Sequence, residues 1–452
     1  MSGDKYNKRR KKILEELDGG KDVSIMELGM YDLTPYFKTD EFDINLSEKI
    51  MLNKNYERRI EHVSNELYFS PPQYKALECL FKENRVLLSA PTSFGKTLLI
   101  KEYIYRKKTK NIVYIVPTNA LAYELERSFK DNKKFSDYTI FDKCLIVEEV
   151  DEKKFIKEKL FFIGTQEKYL EINPNIFGKI DLFVIDEAYK LQESVKNQRA
   201  YKLSETFLDS MTRNSKKIFL LTPKAILKGF DKYEFYMFKS DFNVVDKNYI
   251  VLEEKTFFDI LLKKGGKEKT ILFCNSPKQI DSGYNQIKNL IKNEVDTEFI
   301  QLLEKDIHPD WSVIKLLKRG ILTHHGQMPK YVQNRMLNLF NESENYNILF
   351  STNSISEGIN TVTKNLFIHP KYKNLKNILL LKNTIGRAGR LGKYPIGYIY
   401  SCIKIEELVE NEIQITLAIA DEEELLEIEN SKDDEKILEF SENYKLDIEF
   451  SQ

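Results

Sequence analysis

The sequence predicts an α/β chain of two tandem parallel-sheet domains, with a short N-terminal extension and an acidic C-terminal tail. Three observations carry that expectation. Short apolar runs alternate with amphipathic helical stretches over most of the 452 residues, the pattern of parallel sheets covered by helices on both faces. The alternation breaks once, over residues 226–256, and then restarts. Acidic residues gather at the C-terminal end. The expected division is residues 1–65 as extension, 66–225 as the first domain, 226–256 as linker, 257–404 as the second domain and 405–452 as the acidic segment.

Composition narrows the class. The length suits two domains plus extensions. No run of about 18 apolar residues occurs, so no transmembrane helix and no membrane partner is expected. The basic N-terminus lacks the apolar core of a signal peptide. Cys79, Cys144, Cys274 and Cys402 are far apart, with no C-x-x-C pair. That argues against a disulfide framework or zinc ribbon and for a reducing, cytoplasmic setting. The net charge is zero but unevenly spread. Residues 405–452 hold 17 acidic and 3 basic side chains, and residues 1–404 hold 67 basic and 53 acidic. A basic body suits a polyanion partner; the tail is either a competitor for that surface or a solvated end.

Residues 1–65 show no chemistry. Their basic cluster (Lys5, Lys8, Arg9, Arg10, Lys11, Lys12) reads first as a solvated helix start and second as a phosphate contact. Leu46–Leu67 looks helical. At Tyr68 the text changes to YFSPPQYKAL, an extended entry into a helix that runs to about Lys82. Its Gln73 offers a donor and an acceptor side by side, as the adenine N6/N7 edge requires.

Val86–Thr97, VLLSAPTSFGKT, organises the chain. A buried strand leads into a tight loop, and Gly95-Lys96-Thr97 opens a helix. This is the layout of a phosphate-binding loop, in which backbone N–H groups and a helix N-terminus hold the phosphates. Pro91, Thr92, Ser93, Phe94 and Gly95 form the loop, Lys96 reaches the β/γ-phosphates, and the Thr97 hydroxyl ligates Mg²⁺. Ala90 stands where the usual pattern has its first glycine.

Strands are expected at Asn111–Pro117, Leu160–Thr165, Asp181–Asp186 and Lys217–Thr222, with a helix from Thr118 to Phe129. Ligands bind beyond the C-terminal ends of such strands, where Thr97, Asp186, Glu187 and Thr222 all fall. Asp186-Glu187 closes an apolar strand with adjacent carboxylates. There Asp186 would hold Mg²⁺ and Glu187 would polarise the attacking water. In the second domain, strands are expected at Thr270–Cys274, Gly320–Leu322, Asn347–Ser351, Leu366–Ile368 and Gly397–Ile403, with a helix from Pro277 to Lys292. That sheet has no phosphate loop. It carries Gly386-Arg387-Ala388-Gly389-Arg390, whose arginines would share a helix face and could stabilise transition-state charge on a triphosphate. Residues 293–319 read as a helical insertion in which Trp311 packs.

The ordered set resembles the superfamily 2 DExD/H-type helicases, in their superkiller-type branch, over residues 66–404. Gln73 sits where that family reads adenine. APTSFGKT is similar to motif I, PTNALAYEL (117–125) to Ia, GTQEKY (164–169) to Ib and DEAY (186–189) to II. LLTPKA (220–225) retains only Thr222 of motif III. LFCNSPK (272–278) resembles motif IV, LTHHGQMPKYVQNR (322–335) the H-H-x-G stretch, STNSISEGIN (351–360) motif V and NTIGRAGRLG (383–392) motif VI.

The resemblance implies two RecA-like domains and ATP-driven stepping along one strand of DNA or RNA. The substrate would be a single strand or a tailed duplex. Lys96, Glu187, Arg387 and Arg390 would be catalytic. Glu357, Gly358 and Asn360 would link nucleotide to strand. Thr118, Thr165, Thr222, His325 and Thr352 would meet the strand. Binding through the backbone would be sequence-tolerant and salt-sensitive. Tyr189 replaces the Asp or His that couples hydrolysis to strand binding in relatives. Relatives also carry winged-helix and ratchet domains after motif VI, where about 60 residues follow here, fewer than a domain of ~100–150 residues. A protein partner supplying that clamp is therefore expected. The rivals are an ATPase that remodels without separating strands, and a non-catalytic nucleic-acid-binding scaffold.

Overall fold

The computed structural model describes residues 3–38, 44–63, 67–142, 159–172, 177–193, 198–213, 215–286, 295–355, 361, 363–372, 377–410 and 414–416. The chain divides into two compact units. One is built from residues 55–242 and, among the described residues, the strand at 414–416; the other joins residues 1–54 to 243–411.

The first unit holds a seven-stranded sheet. Its strands are β1 (Arg85–Ser89), β2 (Ile112–Ile115), β3 (Thr139–Phe141), β4 (Leu160–Gly164), β5 (Leu182–Ile185), β6 (Ile218–Thr222) and, after the short β7 (Ile226–Lys228), β8 (Tyr236–Lys239). The order is β3-β4-β2-β5-β6-β1-β8, and every recorded pairing is parallel.

The second unit has β9 (Asp246–Val251), β10 (Thr270–Phe273), β11 (Ile321–His324), β12 (Ile348–Ser351), β13 (Asn365–Ile368) and β14 (Ile396–Ser401). Their order is β11-β12-β10-β13-β14-β9, again parallel. A last strand, β15 (Gln414–Thr416), pairs with β7.

Helices α1 (Gly3–Asp18), α2 (Ile25–Met30) and α3 (Leu46–Lys54) precede the first sheet, and α4 (Pro71–Lys82) leads into β1. Then come α5 (Lys96–Lys107), α6 (Asn119–Lys130), α7 (Gln166–Leu170) and α8 (Gln198–Thr212). The second sheet is served by α9 (Glu254–Gly265), α10 (Pro277–Gln286), α11 (Thr297–Asp306), α12 (Ser312–Leu317), α13 (Lys330–Glu342) and α14 (Ile378–Ile385). Apolar faces explain the packing. Leu77 and Leu80 of α4, Leu99, Ile100 and Ile104 of α5, and Leu125 and Phe129 of α6 bury against Val86, Leu88, Tyr114, Phe161 and Ile163.

Three sequence expectations change. Leu46–Leu67 is not one helix: α3 ends at Lys54, and Arg59 pairs with Tyr68 in an isolated bridge. Residues 226–256 are not a plain linker, because β8 forms one edge of the first sheet and β9 one edge of the second. The extension is split: residues 1–54 are part of the second unit, and from Asn55 onward the chain belongs to the first. Ile13, Leu14, Leu28, Leu33 and Phe37 are buried, Tyr36 Oη donates to Val244 O at 2.7 Å, and Arg10 donates to Asn243 O. Asp18 meets Lys364 Nζ at 3.2 Å and accepts from Tyr398 Oη at 3.3 Å. The extension also reaches the edge strand β9 itself, where Lys11 Nζ donates to Lys247 O at 3.4 Å. Residues 295–317 do form two helices, and Trp311 packs partly buried against the core.

Candidate nucleotide and nucleic-acid site

The phosphate loop is built from β1, a single turn over Thr92–Phe94, and α5. Gly95 sits at φ +84°, a backbone state that L side chains avoid. A Cβ there would stand 3.3 Å from Gln73 Nε2, so both conformation and space call for glycine. Lys96 Nζ donates to Ala90 O at 2.9 Å and Pro91 O at 3.2 Å, folding over the loop it belongs to. Phe94 is wholly buried and anchors the loop in the core.

Gln73 is 2 % exposed. Its Oε1 accepts from Ser70 N at 2.8 Å, one half of a capping box that starts α4. Its Nε2 donates to Phe94 O at 2.7 Å. The amide is thus a brace between α4 and the loop, with one N–H and one oxygen lone pair left over.

Asp186 and Glu187 follow β5. The Asp186 Oδ1 accepts from Glu187 N at 2.9 Å, and Asp186 N donates to Ile115 O at 2.9 Å. Glu187 is held at φ +53°, costly for a side-chain-bearing residue. Its Oε2 is buried and has no hydrogen-bond partner among the described residues. Beneath the pair lies Tyr114 of β2, wholly buried. Burial and the Asp186 carboxylate, opposed by Thr97, push its phenol well above the ordinary value. Tyr114 is a site neighbour that sequence reasoning missed, since it reads as one more apolar position in NIVYIVP.

The loop and carboxylates fit a nucleoside triphosphate with its divalent cation. A glycine-only cradle, a lysine on the loop, a hydroxyl at Thr97 and an orphaned carboxylate oxygen are the donors such a ligand uses.

The predicted strand contacts divide. Thr118 caps α6, its Oγ1 accepting from Leu121 N at 3.2 Å, and is half-buried. Thr165 and Thr222 are buried, and the Thr222 hydroxyl donates to Pro223 O at 3.1 Å. These two side chains present no surface to a strand in this conformation. In the second unit, His325 is buried, and its Nδ1 has no partner among the described residues. Burial lowers its proton affinity, opposed by Asp281. His324 is pushed down to about 4 by burial and by the neighbouring His325 and Lys330, and its Nδ1 lies 2.8 Å from Ser354 Oγ. Thr352 is buried, its Oγ1 3.5 Å from the same Ser354 hydroxyl. Glu357, Gly358 and Asn360 lie outside the described residues.

Arg387 and Arg390 do not share a helix face. Helix α14 ends at Ile385, and the arginines lie in the turn that follows. Glycine chemistry shapes the turn that follows the helix. Gly389 is at φ +79°, Gly389 N donates to Thr363 O at 2.9 Å, and Arg390 exchanges backbone bonds with Tyr394 at 2.8 Å. Gly397 of β14 lies directly under this turn. A Cβ on it would be 2.6 Å from Ala388 C and 2.8 Å from Gly389 N. Gly397 is a second position the sequence did not signal.

A phosphate loop beside strand-end carboxylates on a parallel sheet defines the class of nucleoside-triphosphate-binding α/β proteins. Two family models refine it. Residues 70–225 match the DEAD/DEAH box helicase model, and residues 253–392 match the helicase conserved C-terminal domain. The chain belongs to the superfamily 2 DExD/H helicases, and its two parallel sheets are tandem RecA-like domains.

Among curated relatives, it is 28 % identical to anti-bacteriophage protein B of Escherichia coli, over 79 % of this chain and 50 % of that protein. It is 23 % identical to the ATP-dependent DNA helicase Hel308 of Thermoplasma acidophilum, over 74 % of this chain and 53 % of that one. An uncharacterized ATP-dependent helicase of Methanocaldococcus jannaschii is 24 % identical over 77 % of this chain and 51 % of its own length. The chain spans about half the length of these relatives. No helix among the described residues is long and apolar enough to cross a membrane.

Proposed function

We propose that the chain is an ATP-dependent nucleic-acid helicase or translocase of the superkiller-type branch, which couples ATP hydrolysis to movement along a single strand. The observation that carries this is Glu187. It is held at a strained φ of +53°, with a buried, unpartnered carboxylate oxygen, next to a carboxylate pinned at the strand end. Strain of this kind persists where function requires it. In this reading Gln73 orients the base, Pro91–Thr97 hold the phosphates, and Thr97 and Asp186 hold Mg²⁺, which supplies charge neutralisation on the phosphate oxygens. Glu187 orients the attacking water and accepts its proton. Lys96, Arg387 and Arg390 stabilise charge on the transferring group. Glu357, Gly358 and Asn360 join nucleotide to strand. Thr118, His325 and Thr352 grip the sugar-phosphate backbone, and Thr165 and Thr222 would need the loop ends to open.

DNA is the proposed track, because the archaeal relative is named a DNA helicase. A cytoplasmic location completes the proposal. The test is steady-state ATP hydrolysis, alone and with single-stranded DNA, single-stranded RNA and tailed duplexes. The native chain should be stimulated by single-stranded DNA. Glu187→Gln should bind ATP and strand without turnover, and Lys96→Ala should weaken nucleotide binding itself. Unchanged turnover in both variants would overturn the site.

A further inference from the structure

Helix α5 starts at the phosphate loop and carries two adjacent charged residues in buried positions, Lys101 and Glu102. Neighbours on a helix point about 100° apart, so the two reach different elements. Lys101 is 9 % exposed. Its Nζ donates to Ser128 O at 3.2 Å and to Ser128 Oγ, and lies 4.8 Å from the Phe129 ring centroid. Ser128 and Phe129 form the last turn of α6, whose first turn is capped by Thr118.

Glu102 is wholly buried and accepts four hydrogen bonds. They come from Glu61 N at 3.1 Å, His62 N at 3.1 Å, His62 Nδ1 at 2.6 Å and Arg106 Nε at 2.5 Å. His62 O in turn accepts from Asn132 Nδ2 at 3.1 Å, just past the end of α6. The loop that carries Glu61 and His62 closes through the Arg59–Tyr68 bridge and delivers Ser70 and Gln73 to the phosphate loop.

Two polar ties therefore join the phosphate-loop helix to the C-terminal end of α6. One is direct, through Lys101 and Ser128. The other passes through Glu102, His62 and Asn132. A buried cation in contact with an aromatic ring and a helix end costs more than a methionine would at that position. Packing alone does not require it.

We infer that Lys101 is a positioning residue that couples strand contact at the start of α6 to the phosphate loop, with Glu102, His62 and Asn132 as the second tie. The mechanical logic is simple. Helix α6 runs unbroken over 12 residues from its Thr118 cap, so a strand that shifts Thr118 also shifts Ser128. The buried ammonium transmits that shift to α5, about one turn beyond Lys96 and Thr97. An apolar side chain would keep the packing yet let the helices slip.

This inference rests on the proposed helicase reading, and the test separates the two. ATP turnover is measured for the full chain with and without saturating single-stranded DNA, in the native protein and in Lys101→Met, Lys101→Arg and Asn132→Ala. Lys101→Met should keep basal turnover and the KM for ATP within twofold while losing at least fivefold in DNA stimulation. Lys101→Arg should recover most of that loss. Asn132→Ala, which disturbs no buried charge, should show the same split with a smaller loss. Stimulation of Lys101→Met equal to native overturns the coupling role. So does a parallel fall in basal turnover, which would mark Lys101 as merely structural. If Lys101→Met does not fold, unchanged stimulation in Asn132→Ala overturns it instead. A native protein unresponsive to every polymer overturns the helicase reading, and the inference with it.

Discussion

Gly397→Ala tests how the arginine turn is held. The added Cβ would stand 2.6 Å from Ala388 C, 2.7 Å from Ala388 O and 2.8 Å from Gly389 N. All three are backbone atoms, so no side chain can rotate away. Ordinary contact begins near 3.4 Å, and the turn must therefore retreat by roughly 0.6–0.8 Å, with overpacking of this kind costing about 1–3 kcal/mol. The turn carries Arg387 and Arg390, and a misplacement of about 1 Å at a reacting centre costs on the order of 10²-fold. Under the proposed mechanism, DNA-stimulated kcat should fall about ten- to hundredfold. ATP affinity should stay within twofold, since the phosphate loop belongs to the other unit. Gly265→Ala is the control. Its Cβ meets only the Ile348 side chain, at 2.3 Å from Cγ1, so it should cost stability without changing kcat. The assays are steady-state turnover, fluorescent-nucleotide binding and denaturant unfolding. A kcat for Gly397→Ala within twofold of native would refute the reasoning, as would an equal loss in both variants.

Other outcomes follow from the same geometry. Glu187→Gly should abolish turnover yet raise stability by on the order of 1 kcal/mol, read by thermal unfolding. It relieves a φ of +53° and removes a buried unpartnered oxygen. Gln73→Ala leaves Phe94 O without its donor and should cost about 1–3 kcal/mol. If the amide also reads adenine, the preference for ATP over GTP should fall, whereas a pure brace would weaken both equally. Lys101 is lowered by burial, opposed by Glu124, from 10.5 to about 8. Between those values the unfolded chain binds more protons than the folded one, so this group's contribution to stability rises with pH across that window and is flat below it. The gap amounts to about 3 kcal/mol. Native stability minus that of Lys101→Met should climb from pH 8 to 10.5; a flat difference would refute the buried charge.

The legible parts of this protein are those written in contiguous residues. The phosphate loop, Asp186-Glu187 and the inner strands β1, β2, β5, β6 and β10 each need only a short apolar run and its following turn. The strands missed are different in kind. β3 has three residues, and β8 and β9 are sheet edges whose side chains are partly exposed. Edge strands carry charge to discourage further pairing, so their apolar pattern is weak. Lys239, Asp246 and Lys247 erase it here. The extension was illegible for another reason. Its partners, Asn243, Val244, Lys364 and Tyr398, lie some 200 to 400 positions away, and no local period encodes such contacts.

The arginine turn shows most clearly where local reasoning stops. Three-residue spacing in GRAGR suggests a helix face, and α14 does run up to Ile385. What keeps the chain from resuming the helix is partly local, since Gly389 sits at φ +79°. What fixes the turn is not local at all. Gly397 admits the backbone of Ala388 and Gly389 because it lacks a Cβ, and Thr363 supplies the acceptor for Gly389 N. The turn thus depends on a glycine eight residues downstream of Gly389, in a strand whose apolar character is all that its sequence displays. A residue defined by the space it leaves open has no chemical signature of its own. Such positions are found by asking what an added methyl group would strike, and at Gly397 it strikes the turn that carries both arginines.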